Sequence, residues 1–139
     1  MTPSDIVAIR TDFAAVAPTA DAFAARFYER LFEIDPSLRR LFPDDLSPQR
    51  KKLVQALAMV VAGLDRLDSM LDTLRELGRR HGGYGVEAHH YASVGEAILA
   101  TLEERVAGFG DRSRTAWGRA YTTLAFFFNA TATTETAAA

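Results

Sequence analysis

The chain contains no cysteine in its 139 residues. That excludes disulfide frameworks, thiolate zinc sites, iron–sulfur clusters, covalently tethered c-type haem and thiol nucleophiles. No uninterrupted apolar run reaches membrane-spanning length. Charge of one sign is also scarce: the net charge of −2 gives no reason to expect nucleic acid as a partner. The start, Met1-Thr2-Pro3-Ser4-Asp5, lacks a basic flank and an apolar stretch, so no signal peptide is expected and the reading is cytoplasmic. No alternating strand pattern stands out, and there is no internal repeat. With five prolines, each reads as punctuation between helices.

What is present is helical periodicity almost throughout. Ser4 and Asp5 can cap a first helix carrying Ile6, Ile9, Phe13 and Val16, and Pro18 interrupts it. From Thr19, two i, i+4 rows follow: Phe23, Phe27, Leu31 and Ala24, Tyr28, Phe32. Asp35-Pro36 reads as an N-cap with a first-turn proline, opening a short helix. Phe42 precedes Pro43 and is pushed out of helical geometry. Ser47-Pro48 repeats the cap-and-proline signal and opens a helix to about Gly63 or Leu64. Its inner row is Gln49, Leu53, Ala56, Val60 and Leu64, with Leu57 and Val61 beside it. Asp68 can cap a helix whose apolar stripe is Met70, Leu74, Leu77 and His81, stopped by Gly82-Gly83. A helix from about Glu87 to Val106 carries Tyr91, Val94, Ile98 and Leu102. After Gly108 and Gly110, Asp111 caps a last helix with Trp117, Tyr121, Leu124, Phe127 and Phe128. One domain over 1–130 is expected, with 131–139 a frayed Thr/Ala-rich tail. About seven unequal helices joined by proline corners suit oblique packing at about 50°.

Three polar residues sit on these apolar stripes. His81 ends one of them, where an imidazole can supply the single axial nitrogen that a flat metal cofactor needs; a hydrogen-bonded core histidine is the plainer alternative. Tyr28 and Gln49 could face it as hydrogen-bond donors, although each alone also fits a wetted core edge or an ordinary first turn. His89 and His90 point about 100° apart, close no apolar row, and read as surface or capping residues. Arg50-Lys51-Lys52 reads as a solvated helix flank, since no aromatics interleave it.

Several runs carry a family resemblance. They are Phe27-Tyr28-Glu29-Arg30-Leu31-Phe32, Asp35-Pro36 with Leu41-Phe42, Gln49-Arg50-Lys51-Lys52-Leu53, Leu77-Gly78-Arg79-Arg80-His81, Tyr84-Gly85-Val86, His90-Tyr91 with Val94-Gly95, and Ala116-Trp117 to Tyr121. In this order and spacing the sequence resembles a single-domain bacterial globin related to the haem domain of flavohaemoglobins. The resemblance implies an all-α globin fold around non-covalent haem b. It makes His81 the proximal iron ligand and Phe42 the ring stacked on the macrocycle. Tyr28, Gln49 and Leu53 become the distal tyrosine, glutamine and apolar wall. Leu57, Val86 and Val94 become the aliphatic lining, Tyr91 the proximal tyrosine, and Arg80 a basic side chain near a propionate.

The implied ligands are O₂, nitric oxide and carbon monoxide. Two distal donors should slow O₂ release, and the implied chemistry is conversion of nitric oxide to nitrate. No flavin- and NAD-binding modules follow the last helix, so an external reductase is expected as partner. The family's last-helix glutamate falls at Ala132, with Glu135 about one turn too late, which weakens the case for peroxidase-like electron push. The rival readings are a haem redox sensor or electron carrier, with Tyr28 able to ligate ferric iron, and a haem-free signalling module of the same fold.

Overall fold

A computed structural model of the chain describes the backbone at residues 1–70, 72, 76 and 88–138; side chains are described within these ranges except at 68, 70, 88, 89 and 125–138. All regular structure among the described residues is helical. Five α-helices are α1 (Pro3–Val16), α2 (Ala20–Ile34), α3 (Ser47–Ala62), α4 (Ala88–Arg105) and α5 (Asp111–Ala138), with 3₁₀ segments at Ala17–Thr19, Pro36–Leu41 and Leu64–Met70. The short third helix of the sequence reading is thus 3₁₀; of the helix expected from Asp68 to His81, residues 68–70 belong to the last 3₁₀ segment, 72 and 76 are helical, and the rest lie outside the described residues.

The helix starts show where local cues mislead by a residue or two. Ser4 and Asp5 do not cap α1; Thr2 does. Its hydroxyl oxygen accepts from Asp5 N at 3.1 Å while the Asp5 carboxylate accepts from Thr2 N at 3.0 Å, a reciprocal capping box with Pro3 in the first turn. Similarly, Leu46 rather than Ser47 occupies the N-cap of α3. Ser47 N donates instead to Asp45 Oδ1 at 3.0 Å. Thr19, expected to start α2, forms no side-chain cap there. Asp35 does cap: its Oδ1 accepts from Ser37 N at 3.2 Å and opens the Pro36–Leu41 turn.

The core is continuous from α1 to α5. The inward face of α2 is Phe23, Ala24, Phe27, Tyr28 and Leu31, the whole first row and the first two members of the second, with Phe32 only partly buried; this face packs against α4 and α3. Leu38, Val61, Leu64, Ala97, Ile98, Leu102, Val106, Ala116, Trp117 and Ala120 complete the same cluster. Burying large side chains at about 1.5–3 kcal/mol each is what holds such unequal helices together, because propensity alone leaves short helices marginal.

Two buried carboxylates beside this core, Asp5 and Asp12, are paired across helices. Asp5 is fully buried. Beyond its capping role it takes Arg112 at 2.7 Å and Arg119 at 3.1 Å from α5, which ties α1 to α5. The Trp117 indole donates to Asp12 at 3.0 Å. Arg10 of α1 donates to the carbonyls of Val61 at 3.1 Å and Ala62 at 3.0 Å, satisfying acceptors that the end of α3 would otherwise leave open. On the other face, Arg26 of α2 reaches Glu104 of α4 at 2.7 Å. Among the described residues no helix is long and apolar enough to cross a membrane.

Candidate distal pocket wall

Two proline-bounded segments and α2 meet at one aromatic nest. The second row of α2 brings Tyr28 inward, 7% exposed. Its ring lies 5.0 Å from Phe27, 6.1 Å from Phe32 and 5.6 Å from Phe42, centre to centre. Phe32 and Phe42 are themselves 5.6 Å apart and edge-on, geometry favoured by the ring quadrupoles. Phe42 owes its position to Pro43: its backbone is extended, at φ −123° and ψ 150°, as a residue before proline should be. The chain turns there and its ring points back to α2.

The phenol of Tyr28 is the polar group carried by the rings of this nest. Its hydroxyl donates to the backbone carbonyl of Gln49 in the first turn of α3, at 3.4 Å. That is long for an O–H···O bond, hence weak. Burial pushes the Tyr28 hydroxyl up to about 12, so it is protonated at neutral pH and remains a donor. Gln49 is half-buried, and Leu53 and Leu57, one and two turns further along α3, are partly buried hydrophobics packed against the core. Val94 of α4 joins them in that partly buried shell. The sequence candidates Tyr28, Phe42, Gln49, Leu53, Leu57 and Val94 therefore sit on the α2–α3–α4 core, with direct contact established for Tyr28, Phe42 and Gln49.

Tyr91 lies at the start of α4, buried at 6% exposure; its backbone carbonyl accepts from the Tyr121 hydroxyl of α5. His81, Arg80 and Val86 lie outside the described residues. His90 requires a correction. It is not a surface histidine but is 2% exposed. The signal was available: His90, Ala97 and Thr101 follow i, i+7, i+11 spacing, and all three are buried. The neighbouring row through Tyr91, Val94, Ile98 and Leu102 is the more apolar, so hydropathy alone favours it over the face that carries His90.

Sequence reading also passed over Arg39. Its guanidinium donates to the carbonyls of Phe42 at 3.2 Å, Pro43 at 3.0 Å and Asp44 at 3.3 Å. Nothing in the sequence distinguishes it from its neighbour Arg40.

The wall has the composition that an apolar, flat prosthetic group requires: rings and aliphatic side chains on three elements, and a phenol donor whose resident hydrogen bond is weak. The fold is all-α and of the globin class. The globin family profile matches residues 25–127, and the chain belongs to the globin family, whose members generally bind haem. A flavohemoprotein of Bacillus thuringiensis subsp. konkukian is 35% identical over 107 residues, 74% of this chain and 26% of its own length; one from Bacillus anthracis matches to the same extent. The chain thus spans about a quarter of these relatives. Among solved structures, a bacterial globin from Campylobacter jejuni aligns with a TM-score of 0.83 at 21% identity, covering 96% of this chain and 97% of that one. An engineered carbene transferase, derived from a candidate nitric oxide dioxygenase of Rhodothermus marinus, gives 0.87 at 24% identity, covering 99% and 97%.

Proposed function

We propose that this globin holds non-covalent haem b and binds O₂, nitric oxide, carbon monoxide and similar small ligands, with conversion of nitric oxide to nitrate as its chemistry. The observation that carries the reading is the Tyr28 hydroxyl: a buried phenol donor set in an aromatic nest and weakly engaged by the Gln49 carbonyl. When bound, haem supplies the iron that carries the gas and exchanges electrons. His81 would hold it from the proximal side, with Tyr91 beside that histidine and Arg80 near a propionate. Phe42, Leu53, Leu57, Val86 and Val94 would line it and exclude water.

Tyr28 can turn its O–H from the Gln49 carbonyl toward a ligand carrying partial negative charge, and the Gln49 amide can add a second hydrogen bond. Both favour retention over release, which suits capture chemistry better than bulk delivery. Nitric oxide and O₂ form nitrate with uptake of one electron, so repeated turnover needs a supply of electrons to the haem. The rival in which Tyr28 itself ligates ferric iron requires a phenolate, and burial disfavours that form.

The test is an absorption spectrum of the purified protein in ferric, reduced and carbonylated states, repeated for His81→Ala. Haem uptake abolished or spectrally altered by the substitution supports the reading. A protein that takes up no haem, or holds it unchanged without His81, overturns it.

A further inference from the structure

The corner between the 3₁₀ turn at Pro36–Leu41 and α3 carries Phe42, yet Pro43 has no N–H with which to brace it. Arg39 supplies the bracing. The Phe42 N–H donates to the Arg39 carbonyl at 3.2 Å, and the Phe42 carbonyl accepts from the Arg39 guanidinium at 3.2 Å. Both backbone hydrogen-bonding groups of Phe42 thus go to one residue. The same guanidinium continues to the Pro43 and Asp44 carbonyls and lies 5.3 Å from the centre of the Phe32 ring, where a cation is favoured by the ring face. Phe32 in turn meets Phe42, and both meet Tyr28. The Asp44 carboxylate is 3.9 Å away and fully exposed, so it adds little.

We propose that Arg39 is a positioning residue for the cofactor pocket: by clamping three successive carbonyls it fixes Phe42, and through Phe42 the ring and hydroxyl of Tyr28. The inference rests on the haem reading above, because Phe42 and Tyr28 are the groups that would meet the macrocycle and its ligand. The planar five-donor fork matters here. A lysine ammonium is a point charge on a flexible stem and cannot span the same three acceptors from a planar fork beside Phe32.

The test compares wild type, Arg39→Met, Arg39→Lys and the exposed neighbour Arg40→Met. Met keeps an unbranched stem over Phe32 without any donor. Two quantities are read on the haem-loaded proteins. One is the rate of haemin transfer to excess haem-free myoglobin; the other is the C–O stretching band of the carbon monoxide complex, which reports the field from Tyr28. A third, thermolysin cleavage at Asp45–Leu46, is read on the haem-free chains. Arg39→Met is expected to lose haemin about tenfold faster, the factor that losing one hydrogen bond to a charged group represents. It should also split or shift the C–O band and be cut faster. Arg39→Lys should lie between, and Arg40→Met should match wild type. If Arg39→Met does not fold, Arg39→Lys carries the comparison. Haemin loss and C–O band equal to wild type overturn the proposal. Should wild type take up no haemin, the functional reading fails, and thermolysin decides the clamp separately: unchanged cleavage in Arg39→Met overturns it.

Discussion

Tyr121 of α5 lies so close across Gly95 of α4 that a β-carbon on that glycine would come within 2.6 Å of the ring. The same tyrosine donates to the Tyr91 carbonyl one turn earlier. Glycine is required here for space, because α4 and α5 approach through it. Gly95→Ala should gain helix propensity yet lose stability overall, by about 1–3 kcal/mol, as in other overpacked sites. Urea unfolding monitored by far-UV circular dichroism reads this directly. A net gain in stability would mean that the ring yields easily.

Tyr28→Phe keeps the ring in its nest and removes only a long hydrogen bond to Gln49. Stability should therefore change by less than about 1 kcal/mol. In the haem-loaded protein, O₂ dissociation should rise about tenfold if one hydrogen bond to the ligand is lost, and Gln49→Leu should act in the same direction. Stopped-flow dissociation measures both; unchanged rates in both variants would remove them from the distal role.

Acid sensitivity should track the α1–α5 junction. The Thr2 N–H, above all, holds the Asp5 carboxyl well below the usual carboxylate range, helped by Arg119 and Arg112. A depressed folded-state pKa means that the stabilisation is present above the unfolded value, about 4. It is lost as pH falls through that value toward the folded one. Asp5→Asn should therefore flatten the fall in urea midpoint between about pH 5 and pH 2. It should not abolish the fall, because Asp35, Asp45 and Glu104 are also held low, chiefly by Ser37, Ser47 and Arg26 respectively. Identical slopes in the two proteins would contradict the role given to Asp5.

Trp117→Phe removes the indole N–H that reaches Asp12 and leaves a buried acceptor short of a partner. The expected cost is about 1–3 kcal/mol, beyond any loss of ring area. Trp117 is the chain's single tryptophan, so unfolding should be followed by circular dichroism. Asp12→Leu introduced into Trp117→Phe should recover part of the loss, since the orphaned acceptor is then gone; no recovery would assign the cost to packing.

Patterns within one helix were legible before any coordinates. The Phe23 row and the Ala24 row as far as Tyr28 make the buried face of α2, Asp35-Pro36 opens a turn, and Phe42 is extended because Pro43 follows. The all-α globin class followed from these motifs in order. Cap positions were less legible, because Thr2-Pro3 and Ser4-Asp5 are both acceptable starts until the reciprocal bond to Asp5 selects one. Long-range partners could not be read at all. Nothing in the local sequence says that Asp5 meets Arg112 and Arg119, or that Arg39 rather than Arg40 turns back on its own corner. Those choices depend on where other helices arrive.

Arg10 has an implication for trimming the polypeptide. The residues matching the globin profile begin at 25, beyond all of α1, yet it is α1 that satisfies the last carbonyls of α3 through Arg10 and anchors α5 through Asp5. A shortened version starting at the profile boundary would shed both braces at once. The helix bearing Gln49, Leu53 and Leu57 would then fray from its far end, and gas-binding measurements on such a fragment would describe a looser protein than the intact one.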